Sequence, residues 1–188
     1  MQLSTAIDSL NTLGGVVVIP TDTVYGLAAR VEDLKAVSRL YDLKLREKKP
    51  GTVIAASIEQ LVELGLKRRY LKAVEDYWPA PLSVIIPCGP ELEYIHLGKF
   101  GIAVRIPDSP ELISLVNSVG PLLTSSANLP EQTPANTVQE AKKYFLGNVD
   151  LYVDGGDLST NQPSTIVRVV DDTLEIIRQG AFKVDESS

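Results

Sequence analysis

The sequence predicts a single domain of the α/β (α+β) class, built on a mixed β-sheet with flanking helices. Three observations carry this. Short apolar runs rich in β-branched residues recur at VVVI (16–19), TVIAA (52–56), LSVIIP (82–87) and IAVRI (102–106), each the length of a buried strand. Between them lie segments whose apolar residues recur at helical spacing. The last two runs, PSTIVRVV and LEIIRQG, flank Asp171-Asp172-Thr173 as a β-hairpin. Strict βαβ alternation therefore fails, and the sheet is mixed.

Taken in order, Ala6, Ile7, Leu10 and Leu13 give a first helix over 3–13, with Ser4 as its cap and Gly14-Gly15 as its stop. The strand 16–19 runs into PTDTVYGL, where Thr21, Thr23 and Tyr25 stand at every second position. If the chain stays extended there, all three side chains line one surface; a turn closed by local hydroxyl bonds is the other reading. Leu34, Val37, Leu40 and Tyr41 mark a helix over 33–44, followed by the basic stretch KLREKKPG. Ser57 caps a helix that runs to about Leu66, and a helix over 68–78 stops at Pro79-Ala80-Pro81. Residues 89–101 read as loop. Ser109-Pro110 starts a helix that Gly120 ends. A short strand over 122–124 leads into SSANLPEQTP, Thr137 caps a helix to about Leu146, and 151–153 is a short strand. No repeat, low-complexity tract or linker divides the chain.

The 188 residues are 44% hydrophobic and 22% charged, ordinary for a chain that buries a core. A net charge of −6 and a pI near 4.9 argue against broad, nonspecific nucleic-acid binding. The single cysteine, Cys88, excludes an intrachain disulfide, and with a single histidine, His96, it argues against a Cys/His zinc site. Cys88 reads as a small core or loop residue and His96 as a surface or loop histidine. Neither GxGxxG nor GxxxxGK[ST] occurs. The first residues lack the pattern of a signal peptide, and no apolar stretch is long enough to cross a bilayer, so the expected location is cytoplasmic, with no membrane partner.

The spacing of two seen at Thr21–Tyr25 recurs at Lys44/Arg46 and at Ser126/Asn128, each just past an apolar element. Loops at strand ends are where such sheets place ligands. A pocket fed by Thr23, Lys44, Arg46, Ser126 and Asn128 offers hydroxyls, an amide and two cations, with neither a metal cage nor a nucleophile–base pair. That set binds phosphate or carboxylate and suits a reaction driven by positioning and charge neutralisation. The plain alternatives are a solvated basic helix end at KLREKK and a polar loop at SSAN. Arg105 stands inside apolar IAVRIP, where a charge needs a partner; that partner is either a ligand or a structural salt bridge.

PTDTVYGL, Lys44-Leu45-Arg46, IAVRIPD, Ser126-Ala127-Asn128, PSTIVRV and IIRQGAF follow one another in this order. Together they resemble the YrdC/Sua5/TsaC family of threonylcarbamoyl-AMP synthases over residues 3–182. The resemblance implies one YrdC-like domain over 1–188, without the Sua5 C-terminal domain, whose twisted mixed sheet surrounds a large, open, positively charged cavity. It implies a nucleotidyltransferase that joins L-threonine, bicarbonate or CO2, and ATP into L-threonylcarbamoyladenylate and pyrophosphate. A separate threonylcarbamoyl-transferase complex would then modify A37 of tRNA. The implied threonine-binding residues are Thr23, Tyr25, Arg105 and Ser164. Lys44 and Arg46 would be catalytic, holding the ATP phosphates, and Ser126, Asn128 and Arg178 would complete the ATP site. Mg2+ would accompany ATP, with no protein metal ligand implied.

The chain departs from the family pattern at Glu47, at Pro130-Glu131 and at Gln179, the first two on the nucleotide side. Two other functions compete. One is a double-stranded RNA- or tRNA-binding module without catalysis, or with weak tRNA binding beside it. The other is the carbamoyl-adenylate chemistry of the similar domain in hydrogenase maturation proteins, whose acylphosphatase-like part and zinc-finger motifs do not occur in this sequence.

Overall fold

The computed structural model describes residues 2–45, 49–170 and 173–184. Among these, nine strands form one twisted mixed sheet: β1 (Val17–Pro20), β2 (Tyr25–Arg30), β3 (Thr52–Ile54), β4 (Leu82–Pro87), β5 (Gly101–Arg105), β6 (Leu122–Ser126), β7 (Leu151–Tyr152), β8 (Thr165–Val170) and β9 (Thr173–Arg178). Their order across the sheet is β7-β1-β2-β6-β3-β5-β4-β8-β9. The pairs β1–β7, β3–β5 and β4–β8 are parallel, and the others are antiparallel. The flanking helices are α1 (Ile7–Asn11), α2 (Leu34–Leu43), α3 (Ile58–Glu63), α4 (Arg68–Lys72), α5 (Glu93–His96), α6 (Pro110–Val119) and α7 (Val138–Phe145).

Helix starts follow the local chemistry. The side chains of Asp33, Ser57, Ser109 and Thr137 each accept a backbone N–H from the first turn they precede, which satisfies donors a helix cannot pair internally. The first segment differs from expectation. Leu3–Ala6 is a 3-10 turn entered from Gln2 with no side-chain cap, and only then does α1 begin. The segment expected as one helix to Trp78 breaks after α4 into a 3-10 turn at Glu75–Tyr77. The supposed loop at 89–101 contains α5, and His96 within it is fully buried. Its Nδ1 accepts from the N–H groups of Gly98 and Phe100, and its Nε2 lies 3.2 Å from the Gly89 carbonyl. Local bonding, not exposure, accounts for it.

Strand alternation sends each sheet face into a different environment. One face carries Val18, Leu27, Val53, Val84, Val104, Leu123 and Val167 into a core closed by Val37 and Leu40 of α2, Leu61 of α3, Leu71 of α4, Ile95 of α5 and Phe145 of α7. On the opposite face, Val17, Ile19, Ala28, Ile54 and Leu122 pack under Leu10 of α1 and Leu112, Leu115 and Val116 of α6. Burying each such aliphatic side chain stabilises the fold by roughly 1.5–3 kcal/mol. The second cluster covers only part of its face.

A polar staple fixes the β1–β7 edge. Arg39 of α2 donates to the Gly14 carbonyl at 3.0 Å, to the Asn148 carbonyl at 2.7 Å and to Asp150 Oδ2 at 2.6 Å, and the Val16 N–H reaches the same Asp150 oxygen at 2.8 Å. Partial burial works against ionisation of Asp150, but Arg39 and the Val16 N–H outweigh it and hold the carboxyl below its ordinary 3.8. A depressed folded-state value makes this contribution fully present above the unfolded pKa and lost as pH falls through the folded one. Asp150→Asn should therefore lower Tm at pH 7 by about 2–4 °C. In thermal scans from pH 7 downwards, the gap to the wild-type protein should close below pH 3.8; a gap independent of pH would remove the charge from the account.

Candidate functional site

Residues paired across neighbouring strands point to the same side. Gly26 pairs with Ser126, Thr124 with Thr52, and Ile54 with Arg105; further along, Ser83 pairs with Ile166 and Ile166 with Arg178. All lie on the face that α1 and α6 only partly cover. Where the helices stop, small and polar residues replace aliphatic ones and a cavity of ≈ 270 Å³ opens, lined by Thr21, Thr23, Thr52, Arg105, Ser164 and Arg178 among others. Among the described residues its wall includes two guanidinium groups and no carboxylate. Gly51 allows the start of β3 to approach β6 here, because a Cβ would stand 2.5 Å from the Thr124 carbonyl oxygen.

The stretch after β1 is not extended. Residues 21–24 form the turn of the β1–β2 hairpin, with Pro20 paired to Tyr25. Thr21 Oγ1 donates to the Val24 carbonyl at 2.8 Å, accepts the Thr23 N–H and lies 3.0 Å from Thr23 Oγ1. Turn geometry thus brings Thr21 and Thr23 together on the cavity wall. Tyr25 lines the same cavity but packs in the main core, and its hydroxyl donates to the Gly156 carbonyl at 2.9 Å and accepts from the Gly155 N–H at 2.7 Å. Of the two readings of this stretch, the turn closed by local hydroxyl bonds is the one found; the row of three hydroxyls expected from an extended chain is replaced by a pair plus a tyrosine that anchors the 154–156 loop.

Arg105 closes β5 and is 4% exposed. Its Nη2 donates to Asp22 Oδ1 at 3.0 Å, an ion pair almost wholly inside the protein, and its Nη1 makes a longer contact of 3.4 Å to Ser83 Oγ. Burial pushes the Asp22 carboxyl above its ordinary value, with Arg105 pulling it back, and burial likewise pushes Arg105 below its own. Ser83 Oγ donates to Ser164 Oγ at 3.0 Å, and Arg178 Nη2 donates to the Ser164 carbonyl at 2.7 Å. A continuous chain thus runs Asp22–Arg105–Ser83–Ser164–Arg178, of which Arg105, Ser164 and Arg178 line the cavity and Asp22 and Ser83 stand behind it.

A second cavity of ≈ 420 Å³ is lined by Lys44, Lys49, Ser126, Asn128, Pro130 and Glu131, and shares Ser126 with the first. Lys44 follows α2 and is 2% exposed. Its Nζ donates to the Ser126 carbonyl at 2.7 Å, to Asn128 Oδ1 at 2.8 Å and to the Asn128 carbonyl. Ser126 Oγ also donates to Asn128 Oδ1, at 2.7 Å. The Ser-Ala-Asn segment is therefore a loop gathered around one ammonium group.

Of the residues singled out from sequence, the structure brings Thr23, Tyr25, Arg105, Ser126, Ser164 and Arg178 to the first cavity and Lys44, Ser126 and Asn128 to the second. Arg46 and the departure at Glu47 lie outside the described residues. Sequence reasoning missed Thr52 and Thr124 as wall residues and Asp22 and Ser83 as supports. Ser83 had a signal, a lone hydroxyl within LSVIIP. Cys88 is half-buried and its thiol is pushed up to about 11 by burial and by Glu91, which keeps it protonated and unreactive at neutral pH. Among the described residues, no three His, Cys, Asp or Glu side chains cluster to hold a metal.

The family model described as "Telomere recombination", Sua5/YciO/YrdC, matches residues 10–180. The putative threonylcarbamoyl-AMP synthase of Methanocaldococcus jannaschii is 33% identical over 175 residues, 92% of this chain and 83% of that protein. The threonylcarbamoyl-AMP synthase of Klebsiella pneumoniae is 35% identical over 172 residues, 88% of this chain and 89% of that one. The crystal structure of P. abyssi Sua5 complexed with L-threonine superposes with a TM-score of 0.83 at 27% identity, covering 94% of this chain but only 53%, about half, of that one. On the family match and these relatives, the chain belongs to the Sua5/YciO/YrdC family.

Proposed function

We propose that this protein is an L-threonylcarbamoyladenylate synthase, a nucleotidyltransferase that forms threonylcarbamoyl-AMP and pyrophosphate from L-threonine, bicarbonate or CO2, and ATP. The observation that carries this reading is the pair of adjoining cavities. One holds two guanidinium groups and threonine hydroxyls, the other holds Lys44 and the Ser126–Asn128 loop, and Ser126 belongs to both. An amino acid bound in the first lies beside phosphates bound in the second. The relatives named as threonylcarbamoyl-AMP synthases, and the one solved with L-threonine, support the same substrates.

In this reading Arg105 takes the threonine carboxylate, and Thr23 and Ser164 hold its hydroxyl and amine. Tyr25 supports the wall. The amine attacks CO2 and loses a proton, giving a carbamate. A carbamate oxygen then attacks the α-phosphorus, the bond from that phosphorus to the bridging oxygen breaks, and pyrophosphate leaves. Lys44, Arg46, Ser126 and Asn128 orient the nucleotide and offset the charge that builds on the leaving group, and Arg178, which lines the first cavity, meets the nucleotide from that side. Among the described residues the cavity read as the phosphate site offers one carboxylate, Glu131, so Mg2+ would be held mainly by the nucleotide and water and would supply neutralisation of phosphate charge. The product would pass to a threonylcarbamoyl-transferase complex acting on A37 of tRNA, in the cytoplasm. Among the described residues no helix is long and apolar enough to cross a membrane.

Purified protein with ATP, Mg2+, L-threonine and bicarbonate should release pyrophosphate only when all are present, with threonylcarbamoyl-adenylate detected by mass spectrometry. Salt-dependent tRNA binding without turnover would favour the RNA-binding alternative. Arg105→Ala should weaken threonine by roughly 30- to 1,000-fold, about 2–4 kcal/mol, with ATP much less affected. Because it leaves the Asp22 carboxylate buried without its counter-charge, it should also cost about 3–5 kcal/mol of stability. Adding Asp22→Asn to that variant should recover stability but not threonine binding. Lys44→Ala should cut pyrophosphate release by about 10²-fold. It should also cost about 1–3 kcal/mol of stability by leaving carbonyls of the 126–128 loop unpaired; a fully active Lys44→Ala protein would return that lysine to a purely structural role.

A further inference from the structure

We propose that Asp22 is the positioning residue for Arg105 and that it sets the affinity of the cavity for its substrate's carboxylate. This rests on the reading of that cavity as the threonine site. Asp22 stands in the middle of the 21–24 turn, 83 positions from Arg105 in the chain. It is absent from the lining of the cavity that Arg105 faces and instead borders a separate cleft with Thr160, Asn161, Gln162 and Ala181. It therefore grips the guanidinium from behind.

A guanidinium has five N–H donors in a fixed plane. Asp22 engages Nη2 through one oxygen and Ser83 engages Nη1, while Nε, buried, has no hydrogen-bond partner among the described residues. Two partners hold the plane, and each Nη, which carries two N–H groups, keeps one for a second carboxylate, which binds arginine best across two neighbouring N–H groups. An arginine has several rotatable bonds, and a partner that fixes them beforehand raises affinity without touching the ligand. The same ion pair docks the turn that carries Thr21 and Thr23 against β5. The carboxylate clamp and the hydroxyl wall are thereby fixed relative to each other.

The test compares wild-type protein with Asp22→Asn and Asp22→Glu. Binding of L-threonine and of ATP is measured separately by calorimetry, and steady-state kinetics are run with threonine varied. Asp22→Asn should raise the Kd and KM for threonine about tenfold or more, with the Kd for ATP within about twofold and kcat at saturating threonine within about threefold. Asp22→Glu, which restores the charge on a longer arm, should recover part of the loss. A residue that only stabilised the fold would lower Tm without this split. Wild-type threonine affinity in Asp22→Asn, or an equal loss for threonine and ATP, overturns the proposal. Should Asp22→Asn not fold, Asp22→Glu decides: intermediate threonine affinity with unchanged ATP binding supports the role, and wild-type threonine affinity overturns it. Wild-type protein that binds no threonine refutes the reading of the cavity, and the role of Asp22 with it; normal threonine binding unmoved by either variant refutes Asp22 alone.

Discussion

A guanidinium at the end of an interior strand stays there only if a counter-charge and hydrogen bonds replace the water it has lost. Arg105 obtains the charge from Asp22 and a hydroxyl from Ser83, and the polar half of the sheet is organised around that arrangement. The ion pair reaches from β5 to the β1–β2 turn. The serine pair carries the network across β4 to the residue before β8, and Arg178 closes it from the end of β9. Five segments distant in sequence thus share one hydrogen-bonded seam. Because a buried pair gains little net stability but costs much when halved, the seam is better understood as fixing geometry than as strengthening the fold.

The cavity exists because a single sheet face changes character part-way along. Ala28, Ile54 and Leu122 lie under α1 and α6, whereas Gly26, Thr124, Ser126 and Thr52, on the same side, do not. No separate lid or domain is needed to create a polar concavity, since strand alternation keeps every one of these residues on one surface. The helical layer on the opposite face supplies the burial that holds the sheet in place. Lys44 joins the two sides: it ends α2, which packs in that layer, and its ammonium gathers the loop that follows β6. A loop that lines the second cavity is in this way tied to the main core.

What could be read from the sequence was local. Caps at Ser57, Ser109 and Thr137, the strands at 82–87 and 102–106 and the final hairpin depend on neighbours within a few residues, and they stand as expected. Tyr25–Arg30 went unread as a strand because YGLAAR is rich in small residues and gains its pairing only from β1 and β6. The 21–24 turn was one of two readings open in the sequence, since alternation of hydroxyls suits an extended chain and a hairpin turn alike. Arg105 announced its need of a partner from its apolar setting, but nothing near it in sequence named Asp22. His96 seemed exposed because its acceptors and donors are backbone groups, which leave no mark in a sequence. The ordered motifs located the candidate site residues; which of them face a cavity and which brace one is a tertiary property.

The most direct measurement is a crystal structure of the protein with L-threonine and a non-hydrolysable ATP analogue. The account predicts the threonine carboxylate within hydrogen-bonding distance of the Arg105 guanidinium on its cavity side, with the Asp22–Arg105 bond retained and the analogue's phosphates beside Ser126 and Asn128. Threonine bound away from Arg105, or Asp22 displaced so that the incoming carboxylate takes its place, would contradict it.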